Sequence, residues 1–425
     1  MRNILIFFIS ITVLIGCKKD DISTPSPNPA NYTDKIILND LQATPDSVVI
    51  TWSILNNPGF INYTITRKDD PAGLGTIIAT VYDSLKVKYV DKAIPYTPYL
   101  EYQIIGNLRT GQRIESNIVK YQRSDIKLLK VSPFDIQFDD QNRQLYFFEK
   151  TGTISIYSLE TNAITSTINT GATIGFCDFG MYNGVKELYV PRNDGWVFVY
   201  NAQTLQLIDQ INVGLASSCV VNNNNILYVS TSAWTNRPLK VYNRITKSKI
   251  SESGDFELTR FKKIPNSNTE LLEITINIGP VDQDFYRFDA NGNILQHLDD
   301  IYHGDYPLDY KIFEFFPSGN KYITSSSGAI YSKNMVFEAT LPRGSLEFTS
   351  FYFDGPQQQI YCGTKSKTIE VYSELNYTHI RSITTKAYPY RIFKDGNNGL
   401  VCLSSSTKSD YYSDAPKDII VEKIQ

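Results

Sequence analysis

Histidines are the first residues to consider for chemistry, and the chain contains three of them: His297, His303 and His379. None has the spacing of a metal-binding pair such as H-x-x-x-H. The sequence also contains no G-x-S-x-G motif, no Walker-type loop and no G-x-G-x-x-G after a strand. We place His303, in the segment DIYHGDYPLDY, on a ligand-facing loop. No catalytic residue, metal or cofactor is predicted.

Carboxylates are the second group with chemical potential. Five of them lie near the starts of strands that we expect to line a channel: Asp135, Asp178, Glu257, Asp309 and Glu347. A ring of acids would bind Ca²⁺ or serve in acid–base catalysis. No pair of them has a diagnostic spacing, so catalysis at these acids is the alternative interpretation and not the main one.

Aromatic and arginine side chains are concentrated in segments that read as loops, such as RNDGW, SAWTNRP, YHGDYPLDY and KAYPY. Trp, Tyr and Arg are the residue types enriched where binding energy is concentrated, and aromatic faces also stack on sugars. The predicted ligand-binding candidates are Trp196, Trp234, Arg237, Tyr302, His303, Tyr306, Arg343, Tyr388, Tyr390 and Tyr411. The alternative for any one of these rings is local packing within its loop.

Four cysteines follow the first one in the sequence: Cys177, Cys219, Cys362 and Cys402. Cys362 and Cys402 occupy equivalent positions in neighbouring repeats, which we expect to lie too far apart for a disulfide. All four are predicted to be small apolar core residues.

Composition limits the class of protein. The chain has 425 residues, 42% of them hydrophobic and 20% charged, which is typical of a globular protein. Aromatic residues reach 13%, which favours strands over helices. A formal net charge of -3 is too small and too mixed for a nucleic-acid surface. No nucleic-acid partner is predicted.

The amino terminus, MRNILIFFISITVLIGC, has one basic residue and then an apolar core that is too short to span a bilayer. It is typical of a secretory signal peptide, residues 1–16. The segment Leu14-Ile15-Gly16-Cys17 resembles the lipobox of bacterial lipoproteins. That resemblance implies cleavage before Cys17 and acylation of this residue, which would anchor the chain in the outer membrane.

The segment after the cysteine, KKDD, resembles the charged patch that follows the acylated cysteine in surface lipoproteins of the Bacteroidetes. The resemblance implies exposure at the cell surface, and the alternative is a lipoprotein that faces the periplasm. Residues 17–34 continue with three prolines in polar surroundings and are predicted to form a lipidated flexible tether.

Residues 35–123 contain six or seven short alternating segments separated by turn signals, which predicts a β-sandwich. Trp52 in SVVITWSI and the aromatic stretch PYLEYQIIGNLRTG resemble a fibronectin type III domain. Tyr102 or Tyr99 would occupy the tyrosine-corner position of that family. We interpret this domain as a rigid spacer.

Residues 124–425 contain an internal repeat with a period of roughly 40 residues. Seven apolar segments align, beginning at Gln144, Glu187, Ile226, Glu270, Lys321, Gln359 and Gly399. Four short strands per repeat predict a β-propeller with seven blades, because one such sheet cannot bury both of its faces alone. The second repeat resembles the seven-bladed YVTN-type propellers through Leu188-Tyr189-Val190, Val197 to Tyr200 and Val213-Gly214.

The two ends of the repeat region predict how the ring closes. The seventh repeat ends after its third strand, whereas DIKLLKV, Asp125 to Val131, precedes the first repeat without a blade of its own. We predict that this early segment pairs with the last blade and removes the open sheet edges.

These observations predict an all-β chain with a fibronectin type III-like sandwich and a seven-bladed propeller. The predicted function is non-catalytic binding of a protein or glycan through the aromatic loops of an outer-membrane lipoprotein. The alternatives are a glycan-active enzyme that uses the channel carboxylates and a structural envelope component.

Overall fold

The computed structural model describes residues 33–396, 399–408 and 415–424. Every regular element in these ranges is a β-strand, which confirms the prediction of an all-β chain. Nowhere in the described ranges is there a helix with the length and apolarity needed to cross a bilayer. The described residues form two compact units, one comprising 33–94 with Tyr99–Tyr121 and the other Pro95–Pro98 with 122–424.

The first unit contains two antiparallel sheets. One has the strand order β1-β2-β5, and the other has the order β4-β3-β6-β7 with β8 also paired to β6. The strands are β1 (Gln42–Ala43), β2 (Val48–Thr51), β3 (Phe60–Lys68), β4 (Thr76–Val81), β5 (Lys88–Asp91), β6 (Tyr99–Leu108), β7 (Arg113–Glu115) and β8 (Val119–Gln122).

Alternation of apolar residues creates the core of this unit. Along β6, Leu100, Tyr102 and Ile104 are fully buried, while the residues between them are partly exposed. Trp52 packs with its ring centroid 5.3 Å from that of Tyr63. Each sheet therefore presents one apolar face to a shared core.

β7 ends at Glu115 and β8 begins at Val119, so residues 116–118 separate the two strands. Ser116 Oγ accepts a hydrogen bond from the Ile104 amide at 2.9 Å and donates one to the Asn117 carbonyl at 2.7 Å. A side-chain hydroxyl thus replaces the backbone acceptor for the Ile104 amide, while the Ser116 amide still donates to the Ile104 carbonyl at 2.9 Å.

The described part of the second unit contains six four-stranded antiparallel sheets and one three-stranded sheet, each built from consecutive strands. The first two sheets comprise β9 (Pro133–Asp139), β10 (Gln144–Glu149), β11 (Thr153–Ser158), β12 (Ala163–Asn169), β13 (Asp178–Tyr182), β14 (Val185–Pro191), β15 (Trp196–Asn201) and β16 (Leu207–Asn212). The third and fourth comprise β17 (Ser217–Asn223), β18 (Ile226–Thr231), β19 (Leu239–Asn243), β20 (Lys249–Ser253), β21 (Thr259–Lys263), β22 (Glu270–Thr275), β23 (Gln283–Phe288) and β24 (Ile294–Asp299).

The remaining sheets follow in the same order along the chain. The fifth and sixth comprise β25 (Phe313–Phe315), β26 (Lys321–Thr324), β27 (Ala329–Ser332), β28 (Phe337–Thr340), β29 (Phe348–Asp354), β30 (Gln359–Thr364), β31 (Thr368–Ser373) and β32 (His379–Thr384). The last sheet comprises β33 (Tyr388–Lys394), β34 (Leu400–Ser405) and β35 (Ile420–Ile424).

Burial changes systematically across each four-stranded sheet. Second strands are buried on both faces, as in the consecutive residues Leu145 to Phe148 of β10. Fourth strands such as β12 and β32 are mostly exposed. Sheets with this gradient pack face to face through their inner strands and turn their fourth strands outward, which is the arrangement of a β-propeller.

Neighbouring sheets share apolar clusters, and the last sheet also packs against the first. Val401 and Leu403 of β34 lie in one buried cluster with Leu145 and Phe147 of β10. The same two sheets are joined by an ion pair between Arg143 Nη2 and Asp395 Oδ2 at 2.7 Å.

The early segment Asp125 to Val131 contributes to the last sheet at one position. Leu129 forms an antiparallel bridge with Ile419, immediately before β35. The amide of each residue donates to the carbonyl of the other, at 2.8 and 2.9 Å. Among the described residues, pairing of this segment with the last sheet is limited to this one bridge.

Candidate functional site

The predicted ligand-binding residues share one end of the second unit's sheets. In a sheet of consecutive antiparallel strands, loops from the second to the third strand leave the same end as loops from the fourth strand to the next sheet. We call this end the loop face. The described candidates lie in these loops or at the adjoining strand residues: Trp196, Trp234, Arg237, Tyr302, His303, Tyr306, Arg343, Tyr388 and Tyr390. Tyr411, like Cys17, lies outside the described residues.

Trp234 is the most exposed of the aromatic candidates. Its side chain is 78% exposed in the loop between β18 and β19, and Arg237 in the same loop is also exposed. Trp196, at the start of β15, is half-buried. The loop between β18 and β19 therefore exposes both an indole and a guanidinium to solvent.

Tyr302 and Tyr306 are used in packing instead. The ring of Tyr306 stacks on Phe337 with centroids 3.9 Å apart, and Tyr302 meets Tyr306 edge-on at 4.9 Å. The hydroxyl of Tyr302 accepts a hydrogen bond from the Phe337 amide at 3.3 Å. For this pair the local-packing interpretation describes the structure, because both rings extend the apolar cluster between the fourth and fifth sheets.

Tyr390 and Arg343 also direct their polar groups inward. The hydroxyl of Tyr390 donates to the carbonyls of Pro133 and Phe134 at 3.1 and 3.2 Å, and burial raises its pKa. Arg343 donates to the carbonyl of Leu346 in its own loop. For these two side chains as well, the local-packing alternative describes the structure, because their polar groups bond to nearby backbone carbonyls.

Tyr388 lies at a separate recess of about 280 Å³ on the loop face. Its half-buried ring lies 5.0 Å from the Lys367 ammonium. Tyr390, Lys365, Lys408 and Lys417 also line the recess. It therefore combines aromatic surface with several positive charges.

A larger cavity of about 320 Å³ is lined by residues from the first strands of all seven sheets. Representative residues, one from each sheet in chain order, are Asp135, Asp178, Val220, Lys263, Glu314, Ser350 and Arg391. Converging first strands identify it as the channel that the repeat pattern predicts for a propeller.

The acids of this channel are paired with bases. Arg260 Nη2 lies 3.2 Å from Asp135 Oδ1, and its guanidinium lies 4.1 Å from the Phe176 ring centre. Lys263 Nζ lies 2.8 Å from Asp178 Oδ2. Burial nevertheless raises the pKa of Asp178, because desolvation disfavours its charged form more than Lys263 stabilises it.

Two more basic residues, Lys262 and Arg391, also line the channel. Lys262 Nζ pairs with Glu314 Oε1 at 2.5 Å, and burial lowers the pKa of this lysine. Arg391 donates to the carbonyls of Tyr390 and Lys311, at 2.8 and 3.2 Å. The channel therefore contains balanced ion pairs together with additional positive charge.

The five predicted channel acids do not form one ring. Asp135 and Asp178 line the cavity, whereas Glu257, Asp309 and Glu347 do not. Glu347 is exposed and pairs with Lys365 at 2.6 Å. These last three lie in the loops that precede β21, β25 and β29, so they are near strand starts, as predicted, but outside the cavity lining.

His303 is grouped with two carboxylates that spacing alone did not connect to it. Its ring nitrogen, an oxygen of Asp282 and an oxygen of Asp299 all lie within 4.8 Å of one another. Asp282 precedes β23, Asp299 ends β24, and His303 follows in the next loop. Pairing of the two strands brings these residues together, so no short sequence motif reports them.

The cysteines have no role at this face. Cys177, Cys219, Cys362 and Cys402 are free and buried, as predicted. Burial raises the pKa of Cys219 to about 12. Such thiols are inert core residues.

Comparisons with known proteins identify the fold. No family model and no curated protein matches the sequence. Similar solved structures include the RRP9 WD40 repeats (11% identity, TM-score 0.54, 70% of this chain and 96% of that one) and U3-55K (11% identity, TM-score 0.53, 70% and 98%). Hydrazine synthase from Kuenenia stuttgartiensis is similar at 14% identity and a TM-score of 0.51, over 70% of this chain and 96% of that one. At these identities the likeness concerns the fold alone, and it confirms a β-propeller.

Proposed function

We propose that the chain is a non-catalytic binding module that engages a protein or glycan through the loop face of its propeller. The observation that supports this function is the exposure of Trp234, at 78% of its surface, in the same loop as the exposed Arg237. Trp52, by comparison, is buried, so the chain can enclose an indole where packing requires it. Large exposed aromatic residues next to arginine are typical of binding hot spots.

The test is a glycan and envelope-protein array probed with the purified chain, followed by Trp234→Ala. We expect at least a tenfold loss of affinity for the ligand found. The matched control is Leu375→Ala, because Leu375 is 74% exposed but lies in the loop between β31 and β32, at the opposite end of its sheet. Equal affinities of the wild type and Trp234→Ala, or an array without any ligand, would rule this function out.

A glycan-active enzyme is the second candidate. It is favoured by the position of Asp135 and Asp178 in the channel and by the raised pKa of Asp178, which a general acid requires. The ion pairs of both acids argue against it. Turnover of an array glycan that disappears in Asp135→Asn and Asp178→Asn would favour the enzyme over the binding module.

The finer architecture is also part of the proposal. We propose seven blades in a closed ring of the YVTN type, with Leu129 completing the last blade. The shared cluster of the first and last sheets and the Leu129–Ile419 bridge support it. An experimental structure with an open stack of sheets would contradict it.

The first unit is proposed to be a fibronectin type III-like spacer. The strand orders β1-β2-β5 and β4-β3-β6-β7 support this family, as do the buried Trp52 and Tyr102. The hydroxyl of Tyr102 donates to Asp91 Oδ2 at 3.0 Å, and a tyrosine-corner hydroxyl would instead bond to backbone. That position is therefore filled differently from the family pattern.

The proposed location is the outer membrane, with Cys17 acylated and the chain exposed at the cell surface. The apolar leader and the Leu14-Ile15-Gly16-Cys17 segment support it. Incorporation of a labelled fatty acid into the chain is expected to be abolished by Cys17→Ala. Protease added to intact cells distinguishes surface exposure from the periplasm-facing alternative.

A further inference from the structure

We propose that Asp282, Asp299 and His303 form a binding site for one divalent transition-metal ion, such as Zn²⁺, at the loop face of the fourth sheet. Strand pairing positions the two carboxylates. Asp284 of β23 lies opposite Asp299 of β24, and Asp282 precedes Asp284 by two residues on the same face. The site is independent of the proposed ligand contacts at Trp234.

The loop after β24 brings the histidine to these acids. Gly304 has a φ of +102°, and a Cβ at this position would lie 2.4 Å from Pro280 Cβ. A glycine is therefore required for the loop to lie against the segment that precedes Asp282. His303 remains 61% exposed, so the site is open to solvent.

The distance between the ligand atoms fits a shared ion better than a direct contact. His303 Nδ1 lies 3.6 Å from Asp282 Oδ2, which is too long for a hydrogen bond. Two ligands of one tetrahedral ion, each bonded at about 2.1 Å, are separated by about 3.4 Å. The pair already has nearly this separation.

Uncompensated charge is the second, independent observation. The Asp282 side chain is nine-tenths buried; its Oδ1 accepts a hydrogen bond from the Gln283 amide, and its Oδ2 faces the His303 ring. Asp299 and Asp300 add further negative charge close to Asp282. In the described ranges none of these three aspartates forms an ion pair with lysine or arginine, unlike the buried Asp135 and Glu187. A bound cation would supply the missing positive charge.

Ligand chemistry selects the ion. An imidazole among the ligands favours Zn²⁺ and related metals over Ca²⁺ and Mg²⁺, which prefer oxygen-only sites. Three protein ligands leave a fourth position for water or for an anionic group of a bound molecule. A bound ion would also tie the His303 loop to the two aspartates.

The test is isothermal titration calorimetry of the untagged, metal-free chain with ZnCl₂, supported by the visible spectrum of the Co²⁺ form. We expect one equivalent of Zn²⁺ to bind and the Co²⁺ spectrum to indicate a nitrogen ligand in a site of four or five ligands. His303→Gln and Asp282→Asn are each expected to weaken Zn²⁺ binding at least tenfold. The control is His379→Gln, which removes a partly exposed histidine that is paired with a carboxylate in another sheet.

Two results would overturn the proposal: no Zn²⁺ binding by the wild type, or binding that is equally strong in His303→Gln. The His303→Gln variant guards against a folding artefact, because His303 is exposed on the surface. Circular dichroism of the metal-free variants verifies their folding. Loss of Zn²⁺ binding in His379→Gln but not in His303→Gln would assign the metal to the other histidine and also refute the site.

Discussion

The fourth and sixth sheets of the propeller each contain a histidine bonded to a carboxylate, but different residues surround the two carboxylates. In each sheet a third-strand carboxylate is bonded to a fourth-strand histidine. His297 Nε2 lies 3.0 Å from Asp284 Oδ2, and His379 Nε2 lies 2.8 Å from Glu370 Oε2. The residues that flank the carboxylate on its two neighbouring strands differ between the sheets.

In the sixth sheet the flanking residues satisfy the carboxylate. Glu370 lies opposite Cys362 on the second strand and Ser382 on the fourth. Ser382 Oγ donates to Glu370 at 2.5 Å and Thr368 Oγ1 at 2.7 Å. Burial alone would raise the pKa of Glu370, but these hydrogen bonds and His379 lower it below its usual value.

In the fourth sheet the flanking residues are acids. Asp284 lies between Glu273 on the second strand and Asp299 on the fourth. Neither carboxylate oxygen of Glu273 has a hydrogen-bond partner among the described residues, and the same is true of Asp284 Oδ1. Burial, together with the charge of Asp284, raises the pKa of Glu273 well above its usual value.

A histidine partner alone therefore does not decide how a buried carboxylate responds to pH. Burial raises the pKa of Asp284 despite its bond to His297, whereas the bonds from Ser382 and Thr368 help to lower that of Glu370. Glu370 binds its proton less tightly in the folded chain, so its stabilising contribution is present above the unfolded pKa and is lost as pH falls. Glu273 binds its proton more tightly in the folded chain, so its contribution is lost as pH rises above about 4.3, the pKa of an unfolded glutamate.

The largest effect is expected when the sixth sheet is given a second acid opposite Glu370. Cys362→Glu would give the sixth sheet the arrangement of the fourth, with a second carboxylate opposite Glu370. At pH 8 we expect it to be about 3 kcal/mol less stable to urea than Cys362→Gln, since a buried, unpaired charge is costly. Cys362→Gln has the same size and controls for overpacking. Equal stability of the two variants at pH 8 would contradict the role given to the neighbours.

Removing the acid from the fourth sheet is the reciprocal test. Glu273→Gln is expected to stabilise the chain by about 2 kcal/mol at pH 8, because the folded state no longer has to retain a proton or bury a charge. The gain should shrink as pH falls towards 4.5, where the unfolded chain also binds the proton. Urea unfolding between pH 4.5 and pH 8 measures it, and a gain that does not depend on pH would refute the assignment.

The propeller could be predicted from sequence because its core repeats. The aligned segments beginning at Gln144, Ile226 and Gln359 coincide with the starts of the second strands β10, β18 and β30. These strands are buried on both faces, so packing between sheets keeps their residues apolar. The fourth and fifth repeats fit the repeat pattern of the YVTN-type propellers poorly in sequence. Both nevertheless form four-stranded sheets, because the backbone hydrogen bonds of a sheet tolerate residues such as Glu273.

The candidate site was less predictable because it depends on contacts between loops. Tyr306 is one of the predicted ligand-binding residues. In the structure this loop residue stacks its ring on Phe337, the first residue of β28. His303 was identified as a loop residue, whereas its proximity to Asp282 results from strand pairing and from the approach of Gly304 to Pro280. Sequence indicates which residues a loop contains but not which side of each ring packs inward.

The histidines provide the smallest and most specific test of the comparison. The hydrogen bond to Asp284 raises the pKa of His297, so its contribution to stability is fully present below about 6.5, the unfolded value, and is lost as pH rises through the folded pKa. We expect His297→Gln to cost about 1 kcal/mol at pH 5.5 and less at pH 9, measured by urea unfolding. The matched variant His379→Gln should cost less at pH 5.5, because His379 is more exposed and Glu370 keeps its bonds from Thr368 and Ser382. A larger loss in His379→Gln would mean that the histidine, and not the neighbours, controls the carboxylate.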